Sequence, residues 1–199
     1  MNKLYLDLET TGLDPSKNSI IEIAATYIYP SGYEEKFQGE AQANLSLINL
    51  DAIKINNRNL KNLINQPIYN KNQEKELIVN FFSWLLKLNI NNLYLTGINV
   101  HFDFNFLKER AKLHNIEVGS VLPYRLHDIG NVARFLESIG LIKVSPEIKG
   151  GTLDKYLKAL KIPFEQKTLH TAKGDVELSI VLDKQLEVLA KTALCQCKL

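Results

Sequence analysis

The chain has 199 residues, 45% of them hydrophobic and 23% charged, and a formal net charge of +2 at pH 7. These values are typical of a globular protein with a sizeable core, and we expect one domain over residues 1–199. They exclude a broadly basic surface, although a nucleic-acid enzyme with a local groove is compatible with them. We expect no secretory leader, because the N-terminus enters a strand at once, and no membrane span, because no apolar run is long enough. Cys195 and Cys197 are too few for a zinc site and awkward for a mutual disulfide, so we expect a reduced, cytoplasmic protein.

The first predicted elements are strands. An apolar run predicts a strand at 3–9, and a second follows at 18–29. A turn at 30–32 leads into a third strand in "GYEEKF", residues 32–37. Strands joined by short turns form an antiparallel meander. The stretch 40–72 is polar and rich in asparagine, with short helical patches at best.

Helices and strands alternate in the rest of the chain. Short strands are expected at 93–97 and within 121–129, and an exposed loop at 140–151. The spacing of apolar residues predicts helices at 72–89, 102–115, 129–140, 152–162 and 173–192. The apolar pattern of the first helix consists of Leu77, Ile78, Phe81, Phe82, Leu85 and Leu86. In the second helix Phe102, Phe106, Leu107 and Leu113 should point inward, and Thr152 should cap the fourth. The predicted fold class is α/β: a mixed sheet, an antiparallel meander plus parallel strands, flanked by helices.

Two carboxylates, Asp7 and Glu9, interrupt the first apolar strand. Side chains two residues apart on a strand share a face, so these acids should project together. Like charges at that range repel, and burial raises the cost further, so a basic side chain or a metal ion should lie between them. A salt-bridged pair at a strand end remains an equal alternative from this stretch alone.

Further acids lie beside predicted secondary structure. Asp103 comes at the start of a helix, where an acid also favours the helix dipole, and Asp175 stands at the start of the last helix, where it is also a possible cap. His170 precedes Asp175 in a polar loop. If the four acids converge, divalent cations must neutralise them, and carboxylate oxygens suit Mg²⁺ or Mn²⁺. Two such ions and a histidine base would serve phosphoryl-transfer chemistry.

Three segments resemble the motifs of the DEDD superfamily of 3′–5′ exonucleases: "DLETTGLDP", "NVHFDFNFL" and "HTAKGD". A histidine followed by four residues and an aspartate resembles the DEDDh, or DnaQ-like, branch. The resemblance runs from residue 3 to about 190 and implies a ribonuclease H-like fold, with residues 1–199 as a single DEDDh domain. The implied activity is metal-dependent removal of nucleoside monophosphates from the 3′ end of single-stranded nucleic acid by two-metal-ion hydrolysis.

The resemblance also implies roles for residues. Two ions, Mg²⁺ or Mn²⁺, would be held by Asp7, Glu9, Asp103 and Asp175, and His170 would be the general base. Substrate contacts would come from Thr10, whose backbone meets the 3′-hydroxyl, from Leu13, which wedges against the terminal bases, and from Asn99. Leu13 is equally compatible with a core position. The family's His-Asn pair reads Ile98-Asn99 here, which removes one polar substrate contact. Asp128 is interpreted as structural.

Two other functions are compatible with parts of the sequence. One is a catalytically inactive nucleic-acid-binding module with the same fold. The other is an HD-type phosphohydrolase, suggested by the adjacent His127 and Asp128, although that fold is all-helical. Within the exonuclease hypothesis the partner is a single-stranded DNA or RNA 3′ end, with the sugar undecided. Association with a DNA polymerase is possible but not indicated, and the oligomeric state is not predicted.

Overall fold

The computed structural model describes residues 1–42 and 71–196. Its strands are β1 (Asn2–Thr10), β2 (Ile20–Ile28), β3 (Glu34–Glu40), β4 (Leu93–Gly97) and β5 (Arg125–Asp128). Its helices are α1 (Lys71–Leu88), α2 (Val100–Leu113), α3 (Ile129–Ser138), α4 (Thr152–Ala159) and α5 (Ala172–Gln196), and a short 3₁₀ turn spans Gln166–Thr168. The helical patches expected within 43–70 lie outside the described residues.

The strands form one mixed five-stranded sheet in the order β3-β2-β1-β4-β5. The pairs β1–β2 and β2–β3 are antiparallel, whereas β1–β4 and β4–β5 are parallel. The predicted fold class is therefore confirmed. Because β1, β4 and β5 run in the same direction, their carboxyl ends meet at one edge of the sheet, where loops and helix starts can gather side chains.

The two faces of the sheet carry separate cores. Alternate residues of β1, Leu4, Leu6 and Leu8, pack with α1 and α2 in the first core. Tyr5 belongs to the second core, with residues of α3, α4 and α5. The β1 positions in register with Tyr5 are 7 and 9, so the two acids lie on the face that α5 covers. The prediction that they share a face is confirmed.

Several predicted details were wrong. Leu113 is 47% exposed, because the inner position of the last turn of α2 is taken by His114, whose ring reaches Glu74. On α1, Leu86 is 61% exposed, while the other apolar residues of its pattern are buried. Thr152 is the first helical residue of α4, and Gly151 is its N-cap.

No helix among residues 1–42 and 71–196 is long and apolar enough to cross a membrane.

Candidate active site at the carboxyl edge of the sheet

Three carboxylates come together where β1 ends. Asp7, Glu9 and Asp175 each offer an oxygen, and these oxygens all lie within 4.8 Å of one another. The first two lie on adjacent same-face positions of β1, and the third lies in the first turn of α5. Residues far apart in sequence thus form a cluster of hard oxygen donors, which is compatible with binding a divalent cation.

Asp103 joins this cluster from the first turn of α2. It is 3% exposed, and its Oδ1 accepts the backbone N–H of Leu8 at 2.9 Å. That hydrogen bond places the carboxyl against the backbone between Asp7 and Glu9. Asn99, just before α2, has a left-handed backbone with φ of 57°, which lets the chain turn sharply from β4 into the helix.

The electrostatics of the site follow from burial and crowding. Burial raises the pKa of Asp7 well above its ordinary value, and the charges of Asp103, Asp175 and Glu9 raise it further. Burial likewise raises the pKa of Asp103, although the backbone N–H of Leu8 opposes the change. The pKa of Asp175 is raised to about 6, again chiefly by burial. Buried, crowded carboxylates are costly to ionise when no cation is bound. A bound cation offsets their negative charge, so such a site favours cation binding.

His170 and Asp175 are joined through the backbone. The N–H of His170 donates to Oδ1 of Asp175 at 3.2 Å, and His170 itself adopts a positive φ of 63°. Burial of Asp175 is thus partly compensated by a hydrogen bond from the loop that carries the histidine. The two residues hold each other in place at the start of α5.

A cavity of about 280 Å³ opens over these residues. His170, Asp175 and Asp7 all line it, so the structure brings the predicted histidine to the predicted acids. The remaining lining residues come from just after β4, from around the start of α4 and from around the start of α5: Ile98, Gly150, Gly151, Thr152, Leu153, Asp154, Leu169 and Ser179. A cavity with a few convergent polar groups is the usual form of a small-ligand or active site.

The predicted substrate-contact residues lie at the end of β1 and on the segments that follow β1 and β4. Thr10 is buried at the end of β1, with its hydroxyl donating to the carbonyl of Gly12 at 2.7 Å. Leu13 is 74% exposed, which excludes the alternative that it is a core leucine. Asn99 is exposed beside the cavity-lining Ile98, where the family's histidine is absent. An exposed leucine on the loop that follows an acid cluster is available to contact a ligand.

Sequence reasoning missed three residues of this region. Glu22 stands opposite Glu9 on β2, accepts the N–H of Ala172 at 3.1 Å and adds to the charge around Asp7. Its signal was available, since it is the one charged residue in the apolar strand β2. Asp154 and Ser179 line the cavity, but nothing in their sequence context distinguishes them from ordinary helix residues.

His127 and Asp128 do not form a metal site together. His127 Nε2 lies 3.5 Å from Asp183 Oδ1, whereas Asp128 Oδ1 accepts the N–H of Asn131 and caps α3. Adjacent strand residues point to opposite faces, which separates the two side chains. With a five-stranded sheet at its centre, the chain is not an HD-type phosphohydrolase, and the structural interpretation of Asp128 agrees with its capping bond.

Comparisons with known proteins define the class. An exonuclease family model, RNase_T, matches residues 4–182. The chain therefore belongs to the exonuclease family, and it is a nuclease of the hydrolase class within the DnaQ-like DEDD group. Its sheet and flanking helices have the ribonuclease H-like fold of these enzymes.

Solved structures of exonuclease I share this fold. The chain superimposes on Escherichia coli exonuclease I in complex with a dT13 oligonucleotide with a TM-score of 0.72, at 16% identity, over 98% of this chain and 43% of that one. A zinc-bound E. coli exonuclease I complex with single-stranded DNA gives 0.67, at 17% identity, over 94% and 40%. The enzyme from Methylocaldum szegediense gives 0.68, at 14% identity, over 91% and 39%. The chain thus spans about two fifths of the length of these proteins.

Proposed function

We propose that this protein is a metal-dependent 3′–5′ exonuclease that releases nucleoside monophosphates from the 3′ end of single-stranded nucleic acid. The observation that carries the proposal is the meeting of Asp7, Glu9 and Asp175 within 4.8 Å, beside a cavity lined by His170. Membership of the exonuclease family makes phosphodiester hydrolysis the reaction that this cluster serves.

The proposed metal ligands are Asp7, Glu9, Asp103 and Asp175, which would hold two ions, Mg²⁺ or Mn²⁺. Their fit rests on chemistry: all four are carboxylates, and burial raises the pKa of three of them, Asp7, Asp103 and Asp175. Such donors suit hard, oxygen-seeking cations. When bound, the ions would neutralise the acids, polarise the scissile phosphate and activate the attacking water.

The chain's own residues supply the rest of the mechanism. His170 lines the cavity and is proposed to accept the proton of the attacking water, as a general base. Asp175 fixes the histidine's backbone through the 3.2 Å hydrogen bond. We propose that Thr10 and Asn99 bind the terminal nucleotide and that Leu13 wedges against the terminal bases of the strand, whose flat faces offer an apolar contact.

Single-stranded DNA is the substrate that the comparisons favour. The structural relatives include exonuclease I bound to dT13 and to dA16 oligonucleotides. Because those enzymes are more than twice as long as this chain, their activity is carried over only as a proposal, and RNA remains the alternative to test. We infer a single domain over residues 1–199, since the described residues pack on both faces of one sheet, and a cytoplasmic location stays a prediction.

The test is a digestion assay on oligonucleotides labelled at the 5′ end. Matched DNA and RNA strands are incubated with Mg²⁺ or Mn²⁺, and Asp7→Ala and EDTA serve as controls. A ladder shortened one nucleotide at a time, absent in both controls, is the expected result, with DNA cut faster. Immediate release of the labelled terminal nucleotide would reverse the proposed direction.

The second candidate is a binding module without catalysis. It would be favoured if the wild-type protein retained labelled single strands in a binding assay but left them intact under every metal condition. The presence of the acids, the histidine and the cavity in one place argues for the enzyme.

A further inference from the structure

A second group of charged side chains lies buried outside the acid cluster. Glu74 of α1 is completely buried, and it accepts hydrogen bonds from Arg110 Nε at 2.8 Å and Arg110 Nη2 at 2.6 Å. His114 Nε2 lies 3.0 Å from the same carboxylate. Burial alone would raise the pKa of Glu74, but these hydrogen bonds outweigh burial and hold its pKa below the ordinary value. Glu74, Arg110 and His114 are called the buried ion cluster below.

The buried ion cluster also binds backbone groups of the loop that follows β1. Glu74 Oε1 accepts the N–H of Ile20 at 2.8 Å, and Arg110 Nη1 donates to the carbonyl of Pro15 at 3.4 Å. Pro15 lies inside the 11–19 loop, and Ile20 is the first residue after it. The loop is therefore fixed at its middle and at its end by charges that α1 and α2 hold in the core.

The 11–19 loop is further fixed by its own hydrogen bonds. The N–H of Thr11 donates to the carbonyl of Ser19 at 2.9 Å, and the N–H of Ser19 donates to Thr11 Oγ1 at 2.8 Å. Asn18 Oδ1 accepts the N–H of Asp14 at 3.0 Å and lies 2.4 Å from where a Cβ on Gly12 would be. Only glycine at position 12 allows this close approach. These bonds leave the backbone on either side of Leu13 little freedom.

Leu13 is the apolar side chain that this loop presents to solvent, with 74% of its surface exposed. An exposed leucine gains nothing in the free protein, since its apolar surface stays in water. A rigid support lowers the entropy that a ligand contact would otherwise lose on binding. Exposure on a rigid loop therefore suits Leu13 to contact a ligand.

We propose that the buried ion cluster is a positioning device that holds Leu13 in place for the terminal bases of the substrate strand. This rests on the proposed exonuclease function, which it extends by assigning a role to Glu74, Arg110 and His114. None of the three contacts the acids of the active site by a hydrogen bond that the described residues show. Their effect should therefore fall on binding of the strand and leave the chemical step unchanged.

The test compares two substrates. One is a single-stranded oligonucleotide, which offers stacked bases to Leu13. The other is the p-nitrophenyl ester of thymidine 5′-monophosphate, a phosphodiester with one base and no neighbouring nucleotide. The variants are Arg110→Lys, which keeps the charge but loses the paired hydrogen bonds, Leu13→Ala, and the double variant. His114→Gln is a milder second variant should Arg110→Lys fail to fold.

Asp183→Asn is the matched control. Asp183 of α5 is likewise buried, and it contacts Lys3 Nζ at 2.5 Å, the Tyr5 hydroxyl at 2.8 Å and His127, none of which belongs to the 11–19 loop. Each protein is assayed below its own unfolding temperature, so that lost stability does not appear as lost activity.

Arg110→Lys and Leu13→Ala should each raise KM for the oligonucleotide about tenfold with kcat within about twofold, since one base contact is worth about that much. Hydrolysis of the ester by Arg110→Lys should stay within about twofold, and the double variant should bind the oligonucleotide no more weakly than either single variant. A KM shift in Asp183→Asn equal to that of Arg110→Lys, equal losses on both substrates, or multiplied losses in the double variant would overturn the inference. If the wild-type protein cleaves neither substrate, the proposed function fails instead.

Discussion

Replacing Asp175 by asparagine should stabilise the metal-free protein. Burial raises the pKa of Asp175 to about 6 from an ordinary 3.8. At pH 8 its carboxylate is therefore charged in a buried place, which destabilises the folded protein. The difference corresponds to about 3 kcal/mol at 25 °C, since a tenfold change in acidity is worth about 1.4 kcal/mol. Asparagine keeps the shape and the acceptor for the His170 N–H while removing the charge. The expected gain is about 2–3 kcal/mol, or about 5–10 °C in Tm.

The sign of the pH dependence is fixed by the direction of the pKa change. Because the folded-state pKa lies above the unfolded one, the folded state binds more protons between pH 4 and 6, and the metal-free wild type loses stability as pH rises through that range. The advantage of Asp175→Asn should thus be full at pH 8 and absent near pH 4. Urea unfolding in EDTA at several pH values measures it.

Metal addition and a matched substitution at Asp183 provide two controls for this prediction. Addition of Mg²⁺ or Mn²⁺ should stabilise the wild type and have much less effect on the variant, because a ligand is gone. Asp183→Asn, the same change two turns along α5, should instead destabilise the protein. Burial would raise the pKa of Asp183, but the nearby His127 and the hydrogen bonds from Lys3 and Tyr5 lower it on balance. An Asp175→Asn protein that is less stable than the wild type in EDTA at pH 8 would refute the argument.

Three other predictions concern the histidine, a glycine and the buried ion cluster. His170→Gln should lower kcat by about 10²–10⁴-fold in the digestion assay while keeping the stabilisation by Mn²⁺, since a general base is lost and no proposed ligand is changed; loss of that stabilisation would contradict its role as the base. Gly174→Ala should cost about 3 kcal/mol or more in urea unfolding, because its Cβ would lie 1.9 Å from the Thr168 carbonyl oxygen, whereas Gly151→Ala, with open space around its Cβ, should fold normally. Glu74 has a lowered pKa, so its carboxylate stabilises the fold above its unfolded pKa and loses that contribution as pH falls. Glu74→Gln should therefore lose less stability than the wild type when the pH falls below about 4.5. An equal loss of stability in the two proteins over that range would exclude Glu74 as the source of the acid sensitivity.

The fold was largely readable from the sequence because its signals are local. Apolar periodicity located all five strands and all five helices of the described residues to within a few positions. The errors lie at ends and edges: Leu113 and Leu86 continue the apolar pattern but face solvent, because inner positions are limited by what packs against each helix. A pattern records hydrophobicity, and only the neighbouring elements decide which residues are covered.

The candidate site also depends partly on local sequence relations and partly on tertiary packing. Strand alternation alone predicts that Asp7 and Glu9 share a face, because that relation spans two residues. The meeting with Asp103 and Asp175, and the burial that raises the pKa values of three of the four acids, depends on how β1, α2 and α5 pack. Glu22 is visible in the sequence as a single charge in an apolar strand, which indicates that it needs a partner but not which one. Only the tertiary structure brings the partner within hydrogen-bonding distance: Ala172 for Glu22, and Arg110, 36 residues away, for Glu74.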